Sequence, residues 1–337
     1  MFDWKQEAEI LANRFGTERM RTAIESLSVA YRAGKGTLAP RLDEDLLVAA
    51  YLAVRFPATF AANLAAGKAT HEAITARTTT LNFTPQSLLD LGAGCGTASI
   101  AAQEIWPSLQ QITAIEQIPA MVNMGKQFLP DATWRTAKFQ DLQQLPPHDI
   151  VVCSYALGES RGDTMLLEKA WQAASQLLIL IEPGTPHAFQ GIRAARTRLI
   201  ALGASILAPC PNAEACPAKD LDWCHFAARL NRSALHRRLK GGTLGYEDEK
   251  FSYVAAWRGA LAEGSPRVLR HPLIQPGRIE AELCIAPVRR RIVTTKRNKD
   301  AFRVARKLAW GDVLVLDSTA GTELPAGDDP GPETPQD

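Results

Sequence analysis

No apolar run in this 337-residue chain reaches the length needed to cross a bilayer, which excludes a membrane as an expected partner. A secretory leader is missing too, since MFDWKQEAEILANRF mixes acids and bases and has neither a long apolar core nor a small-residue cleavage site. The same residues lack the Arg-rich, acid-poor character of a transit peptide, so a cytoplasmic protein is expected. Net charge is almost absent, with 38 Lys and Arg against 36 Asp and Glu. Any polyanion must therefore be met by a local patch. Six cysteines are too few for a disulfide scaffold in a chain this long, and in a reducing compartment they read as thiols or metal ligands. What is present, 46% hydrophobic and 22% charged residues, fits a globular protein of two or three units.

Residues 1–78 are helical by pattern, with apolar spacing in AEILANRF, RTAIESLSVAYRAG and DEDLLVAAYLAVRFPATFAANLAA. Gly34 to Pro40 separates two helices and Pro57 bends or breaks a third. This unit is expected to pack on the next domain or cover its ligand cleft. From residue 79 to 204 strand and helix patterns alternate, with strands at SLLDLG, QITAIE, ATWRTAK, DIVVCSYAL and QLLILIEP. That alternation predicts an α/β, doubly wound, Rossmann-like sheet with its crevice at the carboxyl ends of the strands. A Cys-rich region (205–288), a basic segment (289–317) and a disordered acidic tail (318–337) follow.

The chain is organised around LLDLGAGCGTASIAA, residues 88–102, where an apolar run ends in Asp90 and glycines follow at 92, 94 and 96. Gly92, Gly94 and Gly96 free the backbone for positive φ and close approach to a ligand, ahead of a helix start with unpaired N–H groups. The pattern D-x-G-x-G-x-G, with Glu116 ending the next apolar run, resembles the first motif of class I S-adenosylmethionine-dependent methyltransferases. The resemblance implies that Asp90, Gly92, Gly94 and Gly96 form the cofactor turn, that Glu116 holds the ribose hydroxyls and that Asp141 reaches the adenine. At the end of the fourth strand CSYALGES has no Asn-Pro-Pro-Tyr motif, and Cys153 reads as a core thiol, so no catalytic residue is assigned.

Cys210, Cys216 and Cys224 fall within fifteen residues, two of them before proline, and Cys284 lies further on. Four thiolates suit a soft metal. The gaps C-x5-C and C-x7-C are wider than zinc-finger pairs, and Cys-Pro recurs beside cluster ligands in ferredoxins. A 4Fe-4S cluster on these four is favoured; zinc, with His225 as a substitute ligand, is the alternative. A radical enzyme is a third class, but its close C-x3-C-x2-C spacing is not found.

Together the glycine turn, the C-P-x4-C-P-x6-C-H-F run, the later cysteine and KRNKDAFRVARKLAWGD resemble the methyltransferase-like family of small-ribosomal-subunit assembly proteins. The resemblance implies S-adenosyl-L-methionine, an iron-sulfur cluster, ribosomal RNA and the small subunit as ligands and partners. Active methylation of ribosomal RNA stays open as the alternative function. From Arg289 to Lys307 nine basic residues face one acid. Arg289, Arg290, Arg291, Lys296, Arg297, Arg303, Arg306 and Lys307, with Arg237, Arg238 and Lys240 on an expected helix, are the RNA-binding candidates. PVRRRIVTTK and DVLVLD are expected to pair as strands. A monomer is expected when free.

Overall fold

The computed structural model describes residues 3–32, 43–79, 82–138, 141–158, 164–218 and 222–314. Helices α1 (Trp4–Phe15), α2 (Thr17–Arg32) and α3 (Glu44–Ala50) lead into a π-helical turn, Tyr51–Arg55, and then α4 (Phe56–Arg77). Asp3 accepts the free N–H groups of Lys5 and Gln6, and Asp43 that of Leu46, which sets the starts of α1 and α3. Pro57, expected to break the helix, sits in the first turn of α4, and the wider π turn before it absorbs the missing N–H. The linker expected at Gly34 to Pro40 lies outside the described residues. Contrary to the sequence expectation, Glu44–Arg77 is long and apolar enough to cross a membrane. It is instead a core helix, with 78% of its most apolar stretch buried in the protein.

Five parallel strands, β1 (Ser87–Leu91), β2 (Gln111–Glu116), β3 (Thr133–Thr136), β4 (His148–Ser154) and β5 (Ala174–Pro183), lie in the order β3-β2-β1-β4-β5. They occupy the five segments expected. Helices α5 (Thr97–Ile105), α6 (Pro119–Phe128), α7 (Thr164–Ala173) and α8 (Pro186–Ala201) alternate with them. Leu88, Leu89, Leu91, Ile150, Val151, Leu177 and Leu178 have no exposed surface, because helices cover both faces of the sheet. One face meets α4 and α5, the other α7 and α8. The helical unit has its own core against α6 and Cys95. There Phe56 packs between the rings of Trp4 and Phe128, each 5.3 Å away. Truncating it to alanine would cost about 3–5 kcal/mol.

The sheet does not end at residue 204. Strands β6 (Ser205–Ala208), β7 (Phe226–Asn231) and β8 (Tyr246–Trp257) extend it, β8 antiparallel to β5 with both β6 and β7 paired to β8. The expected Cys-rich insertion thus runs through the main sheet: Cys210, Cys216 and Cys224 sit on the connection between β6 and β7, and Cys284 lies further on in the second sheet. Helix α9 (Ala234–Lys240) carries Arg237, Arg238 and Lys240 as expected, and Arg229 lies on β7. A second sheet holds β9 (Arg267–Val268), β10 (Leu273–Gln275), β11 (Arg278–Ile285) and β12 (Val288–Thr295), followed by α10 (Lys299–Ala305). Strand β12 pairs with β11 from end to end, and of the DVLVLD segment expected as its partner only residues 312–314 are described. Closing a two-residue hairpin loop costs less entropy than closing a long one. Val313 makes a single bridge to Arg267, and residues 315–337, including the expected acidic tail, lie outside the described residues.

Candidate functional site

The glycine turn after β1 has φ of 72° at Gly92, 56° at Gly94 and 85° at Gly96, which an L side chain rarely adopts. Gly92 and Ala93 donate to the Ile115 carbonyl, holding the turn against β2. The carboxylate of Glu116 accepts from Gly94 N–H at 2.9 Å and from Ile118 N–H at 2.9 Å, while burial raises its pKa. Asp90 lies beneath the turn: its Oδ2 accepts the Ser99 amide and hydroxyl, its Oδ1 has no partner, and burial pushes it up to about 6.

These groups line one cavity that opens to solvent. Asp90, Gly92, Gly94 and Glu116 are brought together there; Gly96 and Asp141 are not among the lining residues. A Cβ on Gly96 would stand 2.7 Å from Leu129 Cδ1, so this glycine serves packing and the start of α5. Asp141 is exposed in a turn after β3, its N–H bonded to the Lys138 carbonyl.

Sequence reasoning missed the other wall. Tyr51, Thr59 and Asn63 from the helical unit line the same cavity, with the Tyr51 hydroxyl 2.8 Å from that of Thr97. Their signal is a polar residue every fourth position, Tyr51, Arg55, Thr59 and Asn63, in an otherwise apolar run. The π turn keeps this stripe facing the glycine turn, as the expectation of a cleft-covering unit requires.

At the end of β4 the chain turns at Tyr155 with φ of 57°, rare for a bulky residue. Its hydroxyl donates to Glu249 at 2.9 Å, and Glu249 pairs with Arg55 at 3.0 Å. This linkage ties β4, β8 and the helical unit together. Glu182, pushed up to about 7 by burial, accepts the Leu157 N–H at 2.8 Å and so holds the backbone of the loop after β4.

Cys210, Cys216, Cys224 and Cys284 line one largely apolar cleft of about 660 Å³. Loops after β6 and before β7 bring three of them, and β11 brings the fourth. Burial and their neighbouring sulfurs raise the pKa of Cys210 and Cys224 and push Cys284 up to about 12. Asp222, two residues before Cys224, takes ion pairs from Arg270 at 2.7 Å and from Arg289, which also pairs with Glu282, two residues before Cys284. The Asn212 amide donates to the Ala286 carbonyl at 2.8 Å. Cations enclose the cleft: Arg196, nearly fully buried, lies against Cys210, and Arg289 Nε is buried without a partner. Among the described residues no group of three or more His, Cys, Asp or Glu side chains is placed to hold a single metal ion, so the expected metal-binding site is not shown as such. His225 is not in the cleft. It stacks on Trp223 at 5.0 Å, and burial lowers it to about 4.

The basic residues divide into two sets. Arg289 is turned inward on its two carboxylates, Lys240 joins Arg232 on Glu247, Arg291 faces Glu280, and Arg303 pairs with Asp300. Arg237, Arg238, Lys296, Arg297, Arg306 and Lys307 are exposed and Arg290 is half-buried.

Residues 45–315 match the family model described as mitochondrial small ribosomal subunit Rsm22. The chain belongs to the Rsm22 family. It is 28% identical over 296 residues to the human mitochondrial ribosome assembly protein METTL17, covering 79% of this chain and 62% of that one. It is 24% identical over 300 residues to the Rsm22-cox11 tandem protein 1, mitochondrial, of Schizosaccharomyces pombe, covering 72% and 40%. The chain thus spans less than two thirds of these relatives. Among solved structures it is similar to plantazolicin methyltransferase BpumL with SAH (TM-score 0.42, 10% identity, 74% and 100% covered). It is also similar to magnesium protoporphyrin IX methyltransferase of Synechocystis with SAM (TM-score 0.38, 15%, 77% and 99%). The cytoplasmic expectation is overturned, because the family and these relatives are named as mitochondrial. The residues read as excluding a transit peptide form α1, so their composition reflects packing in the helical unit and not compartment.

Proposed function

We propose that this chain is a small-ribosomal-subunit assembly factor that binds S-adenosylmethionine at the glycine turn, carries a 4Fe-4S cluster on Cys210, Cys216, Cys224 and Cys284, and meets ribosomal RNA with its exposed arginines and lysines. The carrying observation is the convergence of four cysteines, spread over residues 210 to 284, on one cleft walled by arginines. A tetrahedral zinc would gather its sulfurs about 2.3 Å from one point. Four sulfur donors drawn from two loops and a strand onto one cleft, with Cys-Pro at two of them, suit a 4Fe-4S cluster. The four thiolates would close its coordination, so the role read for it is structural. Arg196 and the unpartnered Nε of Arg289 suit an anionic group there.

In this reading the cluster joins the loops of the main sheet to β11, and β11 carries β12 and its basic continuation. Asp222, Arg270 and Arg289 align the two parts. Lys296, Arg297, Arg306 and Lys307 are then presented to phosphates from a fixed frame. The cavity at the glycine turn fits a nucleoside-bearing ligand, with Glu116 for hydroxyl donors and the turn's backbone for a carboxylate. The absence of an Asn-Pro-Pro-Tyr motif in CSYALGES after β4 favours an assembly role over methyl transfer. The test is Cys216→Ser in the full chain. Loss of the brown colour together with loss of small-subunit association is expected; retained association by a colourless variant overturns the coupling.

A further inference from the structure

Three buried side-chain atoms without a hydrogen-bond partner share the glycine-turn cavity: Asp90 Oδ1, Asn63 Oδ1 and Ser154 Oγ. Asp90 is 1% exposed and Asn63 5%. The Asn63 amide is oriented by its own helix, since Nδ2 donates to the Thr59 carbonyl at 2.8 Å. Its oxygen is therefore the face it offers. Native proteins rarely leave buried acceptors unmatched, and two in one cavity call for a donor from outside the chain.

We infer that Asn63, on α4, is a ligand-binding residue that with Asp90 receives the ammonium of the bound cofactor's amino-acid end, so that the ligand fastens the helical unit to the sheet. The inference rests on the S-adenosylmethionine reading and adds to it a residue outside the glycine motif. Asp90 belongs to the sheet and Asn63 to the helical unit. An ammonium carries three donors, enough for Asp90 Oδ1, Asn63 Oδ1 and Ser154 Oγ at once. A ligand held on one wall only would leave the Asn63 oxygen unpaired. Tyr51, bonded to Thr97, brings the same helical face onto the turn, so no large movement is needed.

The test is calorimetric binding of S-adenosylhomocysteine and of methylthioadenosine, which lacks the amino-acid end, to the full chain and to Asn63→Leu and Asn63→Asp. Asn63→Leu should weaken S-adenosylhomocysteine roughly 10- to 100-fold, the scale of a charge-assisted hydrogen bond, and leave methylthioadenosine unchanged. Asn63→Asp, which keeps an acceptor, should bind S-adenosylhomocysteine at least as tightly as the parent. The unliganded Asn63→Leu variant should melt close to the parent, since it relieves an unpaired acceptor while giving up one Nδ2 bond to a carbonyl of its own helix. Equal S-adenosylhomocysteine affinity in parent and Asn63→Leu overturns the inference and spares the cofactor reading. A parallel loss for both compounds with a lower melting temperature overturns it in favour of a packing role. A parent chain that binds neither compound overturns both.

Discussion

Replacing Asp90 with Asn tests the electrostatics of the glycine-turn cavity in the unliganded protein. Burial moves this carboxyl from its ordinary 3.8 to about 6, a shift of about two units or about 3 kcal/mol against the charged form at neutral pH. Because the folded chain holds the proton more tightly than the unfolded one, the group's contribution to stability is fully present below pH 3.8 and is lost as pH rises through about 6. Asn does not ionise and can still accept from Ser99. At pH 7.5 Asp90→Asn should therefore melt higher than the parent, with about 3 kcal/mol as the ceiling and roughly 2–4 °C gained per kcal/mol. The gain should shrink towards pH 4. Glu182, pushed up to about 7, titrates in the same range but in both proteins, so it cancels in the difference. The assay is thermal unfolding of both proteins from pH 4 to 8 at one scan rate. A variant that melts below the parent by the same margin at every pH would refute the reasoning.

Glu249→Ala should destabilise the chain by about 3 kcal/mol, because it removes the carboxylate that both the mostly buried Arg55 guanidinium and the Tyr155 hydroxyl bond; chemical unfolding measures this. Gly96→Ala should cost about 1–3 kcal/mol by the same measurement, through its positive φ and the 2.7 Å approach to Leu129. Lys296→Ala with Arg297→Ala should lower the salt dependence of RNA binding by about one log–log unit per lost phosphate contact. Arg289→Ala should leave that slope unchanged and instead lower stability, since its partners are Asp222 and Glu282.

Much of the fold was legible. The five parallel strands stand out as short apolar runs because helices cover both faces, and the glycine turn announces the crevice. Strands β6 to β8 were hidden for particular reasons. Ser205–Ala208 runs straight into the cysteine loop, and Tyr246–Trp257 is polar in its first half and Ala-rich in its second, so no period-two pattern survives. The stripe of Tyr51, Thr59 and Asn63 was hard to single out because apolar residues fill the rest of the run, and only the folded chain shows that the polar stripe is buried against the glycine turn. Basic density along Arg289 to Lys307 was plain, but carboxylates distant in sequence decide which cations are free: Asp222 and Glu282 take Arg289, whereas Lys296 and Arg297 stay exposed. Compartment was the clearest misreading, since Trp4–Phe15 carries the composition of a packed helix.

Anaerobic purification of the full chain followed by iron, sulfide and zinc analysis tests the central claim most directly. The account predicts about four iron and four sulfide per chain, all lost when Cys210, Cys216, Cys224 and Cys284 are replaced together by serine. One zinc and no sulfide, or iron retained by the quadruple variant, would contradict it.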